Sequence, residues 1–442
     1  MDTIGNLPFF PLEITKDGKV FDPAQKAAIE TAVKAAGADR LSDLIVISHG
    51  WNNDKADARS LYNGLLSKVS AQLAGHGGLA NRKFAVVGIF WPSKKFADSE
   101  LIPAGGAAGL DEDADLDSSA LKQKLDSLKT TFDHPDGPQL IERAKALVDG
   151  LENSTPKQDE FVQIIRSLVP ARPSDTTDDA SDRFFSQPGS EMLEVLGRPL
   201  PLAEPDDEGG GQALDVGDAD GAAASFDDFF SGIKAGAWRL LNYATYYQMK
   251  ERAGIVGGAV NAVLASVRND RPDLRLHLIG HSFGACVVTA AVDGPVAVKP
   301  ASLILLQGAF SHNGFTEKFD GQKDGFFRKV ISQSKVEGPI LATHTVNDKA
   351  VGIAYPLASR FSLDNSKDFG DENDVYGGLG RNGAVRMKPG EFEKLTLLAE
   401  TKPYQFVAKK VHNLKADQFI SGHSDIEGPQ VANAIIWAVA GS

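Results

Sequence analysis

The sequence predicts an α/β protein with a mostly parallel central sheet flanked by helices. Three observations carry that expectation. Short continuous apolar runs, Leu44-Ile45-Val46-Ile47-Ser48 and Phe84 to Phe90, have the composition of strands buried on both faces. A helical pattern separates them, as the crossover between parallel strands requires. Leu274 to Ile279 then runs into Gly280-His281-Ser282-Phe283-Gly284 and the alanine- and valine-rich stretch Ala285 to Val292, which reads as a strand, a sharp turn and a helix.

In chain order, Phe9 to Ile14 and Val20-Phe21 flank Asp17-Gly18, a pattern that predicts a hairpin. Asp22-Pro23 is a helix start whose apolar positions Ala27, Ile29, Val33 and Ala36 precede a stop at Gly37. A helix from Ala56 to about Leu73 joins the two apolar strands. Helices are next expected over Ser119 to Phe132, Gln139 to Leu151 and Lys157 to Val169, with polar loops such as Ala171 to Asp182 between them. Pro205 to Ala224 contains Asp206-Asp207-Glu208-Gly209-Gly210-Gly211 and has the composition of a mobile tract. A long helical region from Trp238 to about Val267 carries glycines at 254, 257 and 258 that predict an interruption. Beyond the Gly-His-Ser-Phe-Gly turn, strands are expected at Ser302 to Gln307, Ile340 to Thr345 and Tyr404 to Val411. A glycine-rich excursion spans Ser362 to Pro389, and a last helix runs from Pro429 to Ala440.

Charge divides the chain. The 442 residues carry a net charge of −13, yet residues 94–234 hold 30 acidic against 13 basic side chains, −17, which leaves the remainder near +4. The acidity belongs to an insertion, which argues against nucleic acid as a partner because phosphate binding needs a basic face. The organisation expected is therefore an α/β core at 1–93, an acidic helical cap or lid at 94–235, and the rest of the core at 236–442. No apolar run is long enough to span a membrane, and the start lacks the pattern of a secretory signal. Cys286, the single cysteine, excludes an internal disulfide and fits a reducing, cytoplasmic setting. A packed thiol on an apolar helix is its expected role.

The strand–turn–helix at 275–292 has the chemistry of a nucleophile elbow, G-x-S-x-G. Small residues at 280 and 284 let strand and helix backbones approach while Ser282 occupies a strained turn. The helix start places the Phe283 N–H beside a developing oxyanion. Other residues then carry a family resemblance. Leu44 to Asn53, an apolar strand ending in His49-Gly50-Trp51-Asn52, resembles the HGYN motif of bacterial serine hydrolases of the α/β-hydrolase superfamily, with Trp51 in place of tyrosine. Trp91-Pro92-Ser93 is similar to their WPS motif, Tyr247 to Ala253 to the segment leading toward the elbow, Val346 to Val351 to their acid-bearing loop, and Gly422-His423-Ser424-Asp425 to their histidine loop. The likeness covers about residues 40–93 and 236–440. It implies the α/β-hydrolase fold, a serine–acid–histidine order along the chain, and no cofactor.

Nine histidines compete for the base. His76 and His134 lie at helix ends or in the insertion, His277 inside the elbow strand as a satisfied core histidine, and His281 is the variable elbow residue. His49 begins the oxyanion turn, where bracing by hydrogen bonds suits it. Of His312, His344, His412 and His423, His423 stands in a polar loop after the last strand, where a base reaches the elbow, with His412 as the main rival. Asp348, just after the strand at 340–345, is the favoured acid; Asp293, Asp320 and Asp324 are alternatives. The expected oxyanion donors are the N–H groups of Trp51 and Phe283. Trp51, His281, Phe229 and Phe230 are the candidate substrate-binding residues, the aromatics of the insertion being equally suited to plain packing.

The expected function is cleavage of carboxylic esters through an acyl-serine, on an acyl or other small-molecule ester. Amide or thioester cleavage, or a non-catalytic binding role for the same scaffold, are the alternatives. Gly378-Leu379-Gly380-Arg381-Asn382-Gly383 fits G-x-G-x-x-G without the strand-to-helix setting of a nucleotide site. Asp111 to Asp115 begins like a calcium loop but has Leu116 where glycine is required. His423 and Asp425 lack a third ligand for zinc.

Overall fold

The computed structural model describes residues 2–51, 53–93, 118–169, 182–198, 232–348, 350–351 and 376–442. The insertion aromatics Phe229 and Phe230, Asn52, the tract at 205–224 and the acidic run at 111–116 lie outside these residues, as do most of the loop at 171–182 and part of the glycine-rich excursion.

Among the described residues nine strands form one sheet. They are β1 (Thr3–Ile4), β2 (Leu7–Glu13), β3 (Asp43–Ser48), β4 (Phe84–Phe90), β5 (Arg275–His281), β6 (Ser302–Leu306), β7 (Ile340–His344), β8 (Phe392–Thr396) and β9 (Val411–Lys415). Their spatial order is β1-β2-β4-β3-β5-β6-β7-β9-β8, and every pairing except β1 with β2 is parallel. The expectation of a mostly parallel sheet flanked by helices therefore holds. All six residues of β3 and all seven of β4 are buried, as strands covered on both faces must be. Ile45, Ile47, Val86, Ile279, Ile304, Leu341 and Leu414 join one core with the helices Lys55–Gly75 and Pro429–Ala440. The helix Phe283–Asp293 packs against β3, β5 and β6.

The chain divides into two compact units, one comprising Met1–Lys94, Met249–Val351 and Gly378–Ser442, the other Lys95–Gln248 and Gly352–Gly377. The described part of the second unit is helical: Ser118–Ser127, Gly137–Leu147, Thr155–Leu168, Asp182–Ser186, Gly189–Leu196 and the first residues of the helix Ile233–Asp270. Phe184 is fully buried there, its ring parallel to Tyr247 at 5.8 Å and tilted on Tyr243 at 4.9 Å. Its place is the core of that unit, so packing accounts for it.

Four local details differ from expectation. A further hairpin, β1–β2, is turned by Gly5 and Asn6 with φ of 54° and 65°; the expected one around Asp17-Gly18 forms but is short, its antiparallel pairing limited to the bridge Ile14–Val20 and the bonds from Phe21 N–H to Glu13 O and from Thr15 N–H to Lys19 O, each at 2.8 Å. The helix at 233–270 is continuous through its glycines. A Cβ on Gly257 would meet Ala290 Cβ at 2.5 Å and Val287 O at 2.7 Å, so that glycine serves close helix approach and does not break the helix. Tyr404 to Lys410 is not a strand. Tyr404 and Phe406 stack at 4.7 Å and pack on the core, while pairing to β7 begins at Val411. The edge strand β8, Phe-Glu-Lys-Leu-Thr, has too polar a sequence to be read as one.

At the N-terminal rim, Asp43 is buried against Arg82 and accepts from His277 Nε2 at 2.9 Å; the Ser302 hydroxyl meets His277 Nδ1 at 2.9 Å. Burial alone would raise the Asp43 carboxyl, but the hydrogen bonds from Arg82 and His277 outweigh it and hold the group well below the usual carboxylate range. His277 is thus a satisfied core histidine, tying β3, β5 and β6 together.

Candidate active site

The site stands on strand ends. Register pairs Ser48 of β3 with Gly280 of β5, and His281 with Leu306 of β6. The chain leaving β3 therefore emerges level with the turn leaving β5, at the carboxyl rim where parallel sheets present ligands.

Ser282 sits in that turn at φ 56°, ψ −124°, a conformation that an L-residue keeps only where its surroundings enforce it, at a cost of about 1–3 kcal/mol. Three backbone bonds do so: Ser282 N–H donates to Leu306 O, and Ser282 O accepts from Ala285 and Ala309, each at 3.0 Å. The flanking glycines leave no room for a side chain. A Cβ on Gly284 would collide with the Ser48 carbonyl, and one on Gly280 with the Gly284 carbonyl. Ser282 is 4 % exposed. A Cβ on Gly50 would lie 2.5 Å from Ser282 Cβ and 3.0 Å from its hydroxyl, so the Gly50 backbone borders the hydroxyl directly.

His49 holds that backbone in place. Its N–H donates to Tyr62 Oη at 2.8 Å, and its carbonyl accepts from the Trp91 indole at 3.1 Å. Its Nε2 accepts from Trp91 N–H at 3.3 Å, which leaves Nδ1 as the donor to Gly50 O at 2.9 Å. The Gly50–Trp51 peptide is trans, so anchoring its carbonyl on His49 turns the Trp51 N–H the opposite way. Burial pushes the His49 pKa down to about 4, and the ring is neutral near pH 7, as this donor–acceptor pattern needs. Ser93 completes the brace, donating to Asn53 O at 3.0 Å. Arg252 on the long helix donates to Pro92 O at 2.8 Å. The Trp51 and Phe283 rings meet edge to face at 6.0 Å.

Asp348 follows β7 and is fully buried. Its Oδ2 accepts from His423 Nδ1 at 2.8 Å and from Gln307 Nε2 at 3.1 Å, and its Oδ1 from Val351 N–H at 2.9 Å. Burial would raise this carboxyl, but the bonds from His423, Val351 and Gln307 together with the attraction to His423 bring it below its ordinary value. It is ionised at neutral pH. His423 lies in the loop after β9. His281 Nε2 donates to its carbonyl at 3.0 Å, and the two rings lie 5.0 Å apart, which sets His423 beside the residue preceding Ser282. His281 is 5 % exposed; its observed role is to hold the His423 backbone.

The rival residues are engaged elsewhere. His412 is the second residue of β9 and pairs with Leu341 at the far end of β7 from Asp348. Its Nε2 accepts from Val407 N–H at 3.0 Å. Asp293 is ion-paired to Lys335 at 2.6 Å. Asp320 caps Gln322 and Lys323, and Asp324 accepts from Lys318. The glycine-rich stretch at 378–383 backs the acid: Gly380 lies so close that a Cβ there would stand 2.9 Å from Asp348 Oδ2.

No family model, curated protein or solved structure matches this chain.

Among the described residues no cluster of three or more histidine, cysteine, aspartate or glutamate side chains could hold a metal ion, and no helix is long and apolar enough to cross a membrane. Sequence reasoning missed Tyr62, which anchors His49, and Gln307, which bonds the acid. Tyr62 sits at a core position of its helix, where its hydroxyl is invisible to hydrophobic periodicity. Gln307 had one available signal, a large amide directly after the apolar run that ends β6.

Proposed function

We propose that this chain is a serine hydrolase of the α/β-hydrolase type that cleaves carboxylic esters through an acyl-serine, with the helical insertion as its cap and a reducing, cytoplasmic setting suited to the buried thiol of Cys286. The observation that carries the reading is Ser282 held at φ 56° on a strand–helix turn while Asp348 and His423 pair at 2.8 Å beside that turn. Few structural needs explain a strained, glycine-flanked serine; a nucleophile lifted above the carboxyl ends of the central strands explains it.

In this mechanism His423 Nε2 takes the Ser282 proton as Oγ attacks the ester carbon. Asp348 fixes the tautomer with Nδ1–H toward itself and stabilises the imidazolium that forms. The N–H groups of Phe283 and Trp51 receive the oxyanion. The imidazolium then protonates the departing alcohol, leaving acyl-Ser282. Water, deprotonated by His423, adds to the acyl carbon and releases the acid and the free hydroxyl.

Fluorophosphonate labelling tests this, since only an activated serine reacts. Wild type is expected to be labelled at Ser282 and to turn over a short-chain chromogenic ester, and Ser282→Ala to do neither. A folded wild-type protein that takes up no label and hydrolyses no member of an ester, thioester and amide panel would end the proposal.

A further inference from the structure

We infer that Gln307 is a positioning residue for the acid–base pair, its side-chain amide fixing the face that Asp348 presents to His423; the inference rests on the hydrolase reading above. Gln307 immediately follows β6 and is fully buried. Its Nε2 donates to Asp348 Oδ2 at 3.1 Å and to Gly380 O at 2.9 Å. Both amide protons therefore bridge the acid and the loop behind it. The opposite orientation of the amide would set its oxygen against a carboxylate and a carbonyl at once, so the network dictates which atom is nitrogen.

Two local departures from ordinary folding rules accompany this placement. Gln307 has φ of 46°, a left-handed backbone that a glycine would adopt more readily. Its Oε1 is buried with no hydrogen-bond partner among the described residues, a cost that native structures seldom carry without a reason. Thr343 Oγ1 accepts the Gln307 N–H at 3.1 Å and holds the turn. A residue kept in strain, with its acceptor unmet, is there for its donors. Those donors meet the same oxygen that His423 uses. They share its negative charge and prevent the carboxylate from rotating away from the imidazole.

The prediction separates positioning from packing. In Gln307→Met the apolar volume is kept and both donors are lost, and kcat is expected to fall about 10- to 100-fold with KM little changed, the scale of one lost hydrogen bond to a charged group. Asp348 Oδ2, bonded then to His423 alone, favours the imidazolium, so the acid limb of the kcat/KM profile moves to higher pH. In Gln307→Glu a second carboxyl stands against Asp348, and the profile gains an ionisation belonging to the carboxyl pair.

Fluorophosphonate labelling of wild type is the control on the underlying reading. If wild type is unlabelled, the hydrolase reading fails. If wild type is labelled but both Gln307 variants keep its pH profile, losing activity only in step with their folded fraction, the positioning role is overturned. Should Gln307→Met not fold, the profile of the near-isosteric Gln307→Glu decides alone.

Discussion

Asp348 and His423 are 75 residues apart in the chain, yet Oδ2 of one and Nδ1 of the other lie 2.8 Å apart, with the carboxylate fully buried. The contact is possible because β7 and β9 are parallel neighbours in register, Ile340 against Val411 and His344 against Lys415. The loops that leave their carboxyl ends start side by side.

Asp348→Asn keeps the shape of the acid but cannot dictate the imidazole tautomer. Ester turnover is expected to drop by roughly 10³- to 10⁴-fold, with far-UV circular dichroism unchanged. Activity within a few-fold of wild type would mean that the pair has no part in catalysis.

The strain at Ser282 makes a thermodynamic prediction. Ser282→Ala removes the hydroxyl and keeps the side chain in its unfavourable conformation; Ser282→Gly removes the strain as well. Both should be inactive, and the glycine variant should be the more stable of the two by about 1–3 kcal/mol in urea unfolding. Equal midpoints would show that the turn stores no strain.

His49 fixes the Gly50–Trp51 peptide through Nδ1–H to Gly50 O. His49→Ala frees that peptide to rotate, and kcat is expected to fall by about 100-fold, as for loss of one oxyanion donor. KM should change little. A variant that hydrolyses esters at the wild-type rate would remove the Trp51 N–H from the mechanism.

Acid should weaken the fold through the same ring. The His49 pKa is pushed down to about 4 by burial, against about 6.5 in an unfolded chain. Between those values the unfolded chain takes up a proton that the native protein refuses. The contribution is complete above about pH 6.5 and is progressively lost as pH falls toward 4, by about 3 kcal/mol at the bottom of the window. Urea midpoints at pH 7 and pH 5 measure it, with His49→Gln expected to lose less on acidification than wild type. Equal losses in the two proteins would contradict this account.

The elbow was legible because it is local: five consecutive residues carry the small flanks and the hydroxyl, and the apolar run before them can be little else than a buried strand. Asp348 could be chosen because it follows an apolar stretch closely, and His423 because it stands in a polar loop between the last strand and the last helix; the rule that parallel sheets gather their loops at one rim does the rest. Tyr404 to Lys410 misled because apolar alternation records burial, and there the rings of Tyr404 and Phe406 pack on the core without joining the ladder. The glycines at 254, 257 and 258 misled because propensity cannot anticipate that Ala290 crowds Gly257. Gln307 offered only an amide just after an apolar run, because its role exists where the ends of β6 and β7 meet, a juxtaposition that no window of sequence contains.

The pairing of β3 with β5 joins Asp43–Ser48 to Arg275–His281, segments separated by most of the chain's first two thirds. Gly50 reaches the Ser282 hydroxyl only through that ladder, so any conformer in which it is unzipped has a serine but no cradle for the charge its attack creates. On the hydrolase reading proposed above, a chain still being threaded together, or one partly melted, is chemically silent toward esters, and loss of turnover on heating should coincide with rupture of the sheet's middle and not with fraying at its margins.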